Sequence, residues 1–249
     1  NKSNQQKRKL LKQIHADLEK NGCAVLKNFL TTKAIKLITR EANKVSHLGH
    51  RSFNKTNPYF TKDDISLPKD DPRRQFYKRS NNFISADNFS KNSTLRTIFD
   101  FPYFDSFIKY CVREENFYRY ADPLADVIIN MAEEGNGFPW HFDTNNFTVT
   151  LSIQNSLSGG LFQYAPNIRN SKNEFYDKVQ KILDGNQSNI KSIALQPGDL
   201  QIFKGRYSLH RVTEVKGEKK RYVGIFSFVE TPGMVGNLER TKQLYGKTL

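Results

Sequence analysis

Apolar residues recur at helical spacing through residues 6–21, where Leu10, Leu11, Ile14 and Leu18 mark one face and Gly22 follows as a stop. That spacing predicts a first helix. CAVLKNF (23–29) then reads as a buried strand. Thr31 or Thr32 can cap a second helix, whose Ile35, Leu37, Ile38, Ala42 and Val45 lead to Gly49. Residues 50–92 lose this order: they are polar and charged, with Pro58, Pro68 and Pro72 and little periodicity. A segment of that kind predicts a long loop, and long loops in compact domains are usually functional lids or disordered segments. Short helices are expected at about 92–100 and 103–112.

From Asp126 the texture turns to strands. DVIINMA is a β-branched run, FTVTLSI alternates strictly between polar and apolar, and Gly159-Gly160 marks a turn before LFQYA. One helix interrupts. Ser171 and Glu174 have capping-box spacing, Phe175, Val179, Ile182 and Leu183 form one face, and Gly185 ends it. Strands resume with SIAL (192–195), a turn at Gln196-Pro197-Gly198-Asp199, LQIF (200–203) and RYVGIFSFV (221–229). Helices first and then about eight short strands predict a mainly β fold with flanking helices, a sandwich or jelly roll. No internal repeat or low-complexity linker divides residues 1–249, so one domain is expected. Its parts are a helical flank over 1–112 with an opening strand and a lid at 50–92, a core over 113–230, and a C-terminal tail over 231–249.

Composition narrows the functional classes. No apolar run approaches the roughly 20 residues of a membrane span, and the polar, lysine-rich start does not read as a secretory signal. Cys23 and Cys111 lie far apart, too few for a disulfide framework and wrongly spaced for a zinc site. Both are expected to be reduced and buried, in a cytoplasmic protein. The net charge of +14 raises nucleic acid as a partner. Against this, 25 Lys outnumber 14 Arg and are spread along the whole chain beside 23 Asn, a compositional bias rather than a recognition stripe.

The candidate chemistry lies in WHFDTNNF (140–147). Residues two apart on an extended strand share a face, so His141 and Asp143 present an imidazole and a carboxylate side by side while Phe142 turns into packing. Such a pair supplies two of the three ligands of the 2-His-1-carboxylate triad that suits non-haem Fe(II). His210, delivered by PGDLQIFKGRYSLHRV, is the candidate third ligand. His15 falls on the first helix, and His47 and His50 flank the polar loop. Arg221 opens an otherwise apolar strand, where a buried guanidinium is costly unless it meets an anion; a carboxylate cosubstrate would supply one.

These pieces, WHFD, GGLFQYAP, PGDLQIFKGRYSLHRV and Arg221, together resemble the core of the Fe(II)- and 2-oxoglutarate-dependent oxygenases, and NGCAVLKNFLTTKAIKLI resembles that family's opening strand and helix. The resemblance implies a double-stranded β-helix, with Fe(II) held by His141, Asp143 and His210, 2-oxoglutarate chelating the metal and pairing with Arg221, and O2 as co-reactant. It is closest to a branch acting on free amino acids that contains lysine hydroxylases and radical halogenases. Halogenases there replace the metal-binding carboxylate with a small residue, and this chain keeps Asp143, which implies hydroxylation with release of succinate and CO2. By position in that branch, Arg79 in KRSNNFIS is the candidate clamp for a substrate carboxylate; it reads equally as a solvated lid arginine. Thr144 and Asn145 are candidate pocket residues, and equally strand-end hydrogen bonders. The expected partner is a small amino acid rather than nucleic acid or membrane. The alternatives are an oxygenase acting on a protein or nucleic-acid residue and a non-catalytic metal-binding jelly roll.

Overall fold

The computed structural model describes residues 2–248, with Lys2, Ser3 and Asn81 entering by backbone alone. In chain order the first half forms α1 (Lys2–Asn21), β1 (Cys23–Leu26), α2 (Thr32–Val45), β2 (His50–Thr56), β3 (Tyr77–Ile84), α3 (Thr94–Phe99), α4 (Phe104–Val112), β4 (Tyr118–Arg119) and β5 (Val127–Ala132). The second half adds β6 (Phe138–His141), β7 (Thr148–Gln154), β8 (Ser158–Gly159), β9 (Phe162–Ala165), α5 (Tyr176–Leu183) and β10 (Lys191–Ile193). It closes with β11 (Leu200–Phe203), β12 (Leu209–Val212), β13 (Val215–Lys216), β14 (Arg221–Phe226), β15 (Phe228–Val229) and α6 (Leu238–Tyr245).

A seven-stranded antiparallel sheet runs in the order β1-β11-β7-β14-β5-β3-β2, and a four-stranded sheet in the order β10-β9-β12-β6 lies opposite it. The fold is mainly β with flanking helices, a jelly roll. The period-2 alternation explains how the major sheet is used. Val149, Leu151 and Ile153 of β7, Leu200 and Ile202 of β11, and Tyr222 and Phe226 of β14 join one buried cluster. That cluster also takes Ile14 and Leu18 from α1, Ile38 and Ala42 from α2, and Leu95, Phe99 and Ile108 from α3 and α4. The helices therefore cover this face of the sheet and remove its apolar side chains from water, the main favourable contribution to folding. The alternate positions, Thr148, Thr150, Gln201, Arg221 and Val223, line a cavity between the two sheets. The polar half of FTVTLSI thus faces the jelly-roll interior rather than solvent.

Several expected elements stand as read: α1 ending at Gly22 with φ +63°, Thr31 accepting from Ala34 N–H to cap α2, and the strands β5, β7 and β11. Others are corrected. Leu10 is exposed, so the buried stripe of α1 rests on Ile14 and Leu18. Residues 50–92 are not one loop. β2 and β3 pair over seven residues and join the major sheet through β5, leaving the irregular stretch at 57–76. Their Asn, Lys, Arg and Ser side chains hid the pairing of the edge strand β2 with β3, because propensity is a weak signal where strands carry polar residues. The sheet therefore draws β1, β2 and β3 from outside 113–230. Ser171 does not cap α5. Phe175 holds the N-cap position at φ +48°, and Glu174 pairs instead with Arg169 at 2.7 Å. Cys23 and Cys111 are buried and free, and no helix among the described residues is long and apolar enough to cross a membrane.

Candidate metal centre

β6 ends at His141, and Asp143 follows two residues later, its N–H donating to Gly205 O at 3.0 Å. Between them Phe142 drops into a buried cluster with Trp140, Leu209 and Val179. β12 runs antiparallel to β6 with His210 opposite His141, so sheet register alone brings the two imidazoles to a centroid separation of 4.1 Å. His141 Nδ1 lies 2.8 Å from Pro139 O and His210 Nδ1 lies 2.9 Å from Ser208 O. A carbonyl oxygen can only accept, so each Nδ1 carries the proton and each Nε2 presents a lone pair. Those Nε2 atoms stand 3.8 Å and 3.4 Å from Asp143 Oδ1, and the ligand atoms of the three residues all lie within 4.8 Å of one another. Two imidazole nitrogens and one carboxylate oxygen converging on a point form the donor set that suits non-haem Fe(II), and the residues fit that ion.

Supporting contacts lock the carboxylate. Thr148 Oγ1 donates to Asp143 Oδ2 at 2.5 Å, leaving Oδ1 turned to the histidines. Gly205 packs so closely that a Cβ there would lie 2.0 Å from Asp143 Oδ2. Burial opposes ionisation of Asp143, but the neighbouring imidazoles and the Thr148 hydrogen bond outweigh it and hold its pKa below the usual carboxylate range. Burial, with His210 and Arg79 nearby, presses the His141 pKa well below its ordinary value, so the ring is neutral at neutral pH, the form a metal requires.

The cluster sits where two cavities meet. The inner one, about 150 Å³, runs between the sheets and is lined by His141, His210, Thr150, Gln201 and Arg221. On a scale of some 10–15 Å³ per water-sized group it holds roughly ten atoms, the size of a small dicarboxylate. Arg221 is buried there, and desolvation pushes its pKa down to about 10. Its stem is packed by the Gly159-Gly160 turn; a Cβ on Gly160 would approach Arg221 Cδ to 2.9 Å. Asn130, the polar residue within VIINMA, lines the same cavity with its Nδ2 buried and lacking a hydrogen-bond partner among the described residues. Such a donor is costly until an acceptor arrives.

The outer cavity, about 440 Å³, opens beyond His141 and Asp143 and is lined by Arg79, Thr144, Asn145 and Phe60 together with Asn237, the N-cap of α6, and Arg240 within it. Arg79 is buried rather than a solvated lid residue, with its Cζ 4.7 Å from the centroid of the Phe60 ring. Burial first and the nearby Arg240 second lower its pKa to about 9. Asn145 both lines the cavity and donates to Phe228 O at 3.1 Å. The structure therefore brings all seven candidate residues to the two cavities. Four further residues were not read from sequence. Thr148 was one of the polar positions of an alternating strand, Gly205 and Asn130 stood inside quoted motifs, and Arg240 had no signal in the 231–249 tail.

Fold and site together define a jelly roll of the Fe(II)/2-oxoglutarate oxygenase type. Among solved structures it is similar to SnoN, a non-haem alpha-ketoglutarate-dependent epimerase from nogalamycin biosynthesis, with TM-score 0.59 and 10% identity over 90% of this chain and 82% of SnoN. SnoN has also been solved with Fe3+, alpha-ketoglutarate and nogalamycin RO. A Trichoplax adhaerens prolyl hydroxylase bound to a hypoxia inducible factor peptide matches with TM-score 0.58 and 16% identity over 92% of each chain. A Pseudomonas putida prolyl-4-hydroxylase matches with TM-score 0.55 and 12% identity over 89% of this chain and 99% of that one. At these identities the likeness speaks for the fold. The chain belongs to the Halogenase D family, whose profile matches residues 6–243. No protein of curated function matches it in sequence.

Proposed function

We propose that this protein is an Fe(II)- and 2-oxoglutarate-dependent dioxygenase that hydroxylates an unactivated carbon of a free amino acid, with release of succinate and CO2. The observation that carries this reading is the position of His141, Asp143 and His210 at the junction of two cavities, the inner of which holds a buried arginine. The three residues would hold Fe(II). Arg221 would pair with the distal carboxylate of 2-oxoglutarate, and the unpartnered Asn130 Nδ2 would donate to one of its oxygens. Bound there, Fe(II) and 2-oxoglutarate would supply O2 activation and the oxidation that inserts one oxygen into a C–H bond, while the second oxygen leaves in succinate.

The chain's own groups bind, aim and keep the site dry. Thr148 and Gly205 hold the Asp143 carboxylate so that Oδ1 faces the metal position. Thr144, Asn145 and Arg79 would orient the substrate in the outer cavity, with Arg79 holding its carboxylate. Phe60, whose ring centroid is 5.8 Å from that of His141, roofs the junction and limits water. Because β3 and α6 reach the site from outside residues 113–230, we take residues 1–249 as one catalytic domain. Two buried free thiols fit a reducing compartment, the cytoplasm.

Hydroxylation rather than halogenation follows from Asp143, because the carboxylate fills the position a halide would need. The test is anaerobic loading with Fe(II) and 2-oxoglutarate, read by the charge-transfer absorbance of the chelate. O2 and a panel of free amino acids follow, with mass spectrometry of products and succinate counted. A gain of one oxygen matched by succinate is expected. Absence of the chelate band, or oxidation found only on a peptide or nucleic acid, would refute the respective part.

A further inference from the structure

The interior face of the major sheet changes character along its strands. On β14 the interior positions run Arg221, Val223 and Ile225, and on β5 they run Asn130 and Ile128. Residues directly opposite on antiparallel strands share a face, and the register sets Val223 against Asn130 and Ile225 against Ile128. Polarity therefore falls on both strands together from the inner cavity to the outer. Phe83, Ile128 and Tyr245 belong to a buried cluster distinct from the one beneath the helices, and Tyr120, Ile225 and Leu244 pack against it while only partly buried. All six line the outer cavity, and Phe83 and Ile225 line the inner one as well. Met234 and Val235 also line the outer cavity although both are exposed.

The polar groups narrow the choice further. Four of the uncharged polar side chains lining the cavity are already engaged: Thr148 with Asp143, Asn145 with Phe228 O, Ser227 with Ala125 O, and Asn237 in capping α6. Among the described residues lining it the one acid is Asp143, placed at the metal position, and its charge already favours that of Arg79. A lysine-like ammonium would lose water here and meet no second carboxylate, and a side-chain amide over the apolar wall would exchange water for hydrocarbon. Volume sets no such limit. On a scale of some 10–15 Å³ per water-sized group, about 440 Å³ holds roughly thirty atoms, more than any free amino acid needs. We infer that the outer cavity selects a free amino acid with an uncharged, apolar side chain of leucine size or larger, seated on Phe83, Ile128, Ile225 and Leu244. This rests on the oxygenase reading above and names its substrate class. The driving force is the removal of that side chain and of the cavity's apolar wall from water.

The test uses the whole protein loaded anaerobically with Fe(II) and saturating 2-oxoglutarate, so that the inner cavity is already filled. Leucine, asparagine, methionine, glutamine, glutamate and lysine are then titrated by calorimetry. Leucine matches asparagine in size, and methionine matches glutamine, so each pair isolates polarity. The apolar member should bind at least about tenfold more tightly, the order of the cost of burying an unpaired amide. Lengthening norvaline to norleucine should tighten binding about fourfold, the worth of one buried methylene. Leu244→Gln and, separately, Ile225→Thr should each narrow the leucine-over-asparagine ratio by about threefold or more, with thermal unfolding confirming that both variants fold. Binding of an amide, glutamate or lysine as tight as that of leucine, no binding by any probe, or a ratio unchanged in both folded variants would overturn the inference. Admitting O2 to the same wild-type samples and measuring succinate tests the parent reading separately. No succinate with any amino acid sinks that reading, whereas succinate formed fastest with lysine or glutamate sinks only this inference.

Discussion

Replacing Arg221 with methionine should stabilise the ligand-free protein and cripple its use of 2-oxoglutarate. The guanidinium is buried, and desolvation lowers its pKa from 12.5 to about 10. At about 1.4 kcal/mol per tenfold change, keeping it charged costs about 3 kcal/mol in the folded state. The folded pKa lies below the unfolded one, so this cost is fully present at neutral pH and fades only as pH climbs from about 10 towards 12.5. Methionine keeps most of the stem that packs against Gly160 and removes the charge. For a chain of this size, about 3 kcal/mol corresponds to a rise in ligand-free Tm on the order of 5–10 °C, and partial repacking places the expectation at the lower end. The same change removes a charge-assisted, bidentate partner for the cosubstrate, worth about 1.5–3 kcal/mol, so the KM for 2-oxoglutarate should rise roughly 10- to 150-fold. Scanning fluorimetry with and without 2-oxoglutarate, beside succinate kinetics, reads both effects. A lowered ligand-free Tm with an unchanged cosubstrate KM would refute the argument, since it would make Arg221 a structural residue whose charge is already balanced.

The other predictions concern the metal and its roof. His210→Ala should abolish iron-dependent succinate formation while the circular dichroism spectrum stays native; near-normal turnover would remove it from the ligand set. Gly205→Ala forces a Cβ into Asp143 Oδ2 and should weaken Fe(II) binding about 10- to 100-fold by titration, whereas an unchanged affinity would show that the carboxylate is free to move. Amides of residues 57–76 should exchange more slowly once substrate joins metal and cosubstrate, and equal exchange would deny this loop a gating role. Saturating chloride should leave the product of the unmodified protein hydroxylated, and a chlorinated product would contradict the role given to Asp143.

What could be read in the sequence follows from where local pattern and tertiary demand agree. α1, α2, β7 and β11 carry periodic apolar residues and β5 an apolar run, and most of those positions are buried, Leu10 and Leu37 being exposed exceptions. β2 and β3 lack that signal. Their pairing depends on partners up to 49 positions away in sequence, as Asn54 with Arg79 and Asn82 with Met131 show, and β2, the edge strand, tolerates polar residues on its open side. The histidine and carboxylate ligands were legible because metal chemistry restricts residue type and spacing. Their supports were not. Thr148 is one of four polar residues that alternate along β7, and nothing local distinguishes the one that holds a carboxylate from Thr150, which donates to Gln201 Oε1 at 3.0 Å. Arg240 reaches the outer cavity only because α6 packs back against β2 and β3, a long-range contact that a tail of unremarkable polarity does not announce.

The family to which the chain belongs is named for halogenation, and its fold is shared with hydroxylases and an epimerase, so the reaction has to be argued from the residues at the metal position. Here the case for a carboxylate ligand does not rest on Asp143 alone. Thr148 satisfies Oδ2, Gly205 yields the space that the carboxylate fills, and the Gly205 carbonyl fixes the Asp143 backbone. Two of those contacts would have no purpose around a small residue: Thr148 would lose its acceptor, and the hollow over Gly205 would stand empty. A site built around a vacancy for a halide should show the opposite, with space beside the two histidines and hydrogen-bond donors directed into it. The surroundings of Asp143 are thus fitted to a carboxylate at this position, in keeping with the proposal that it serves as a metal ligand where a halide would otherwise sit.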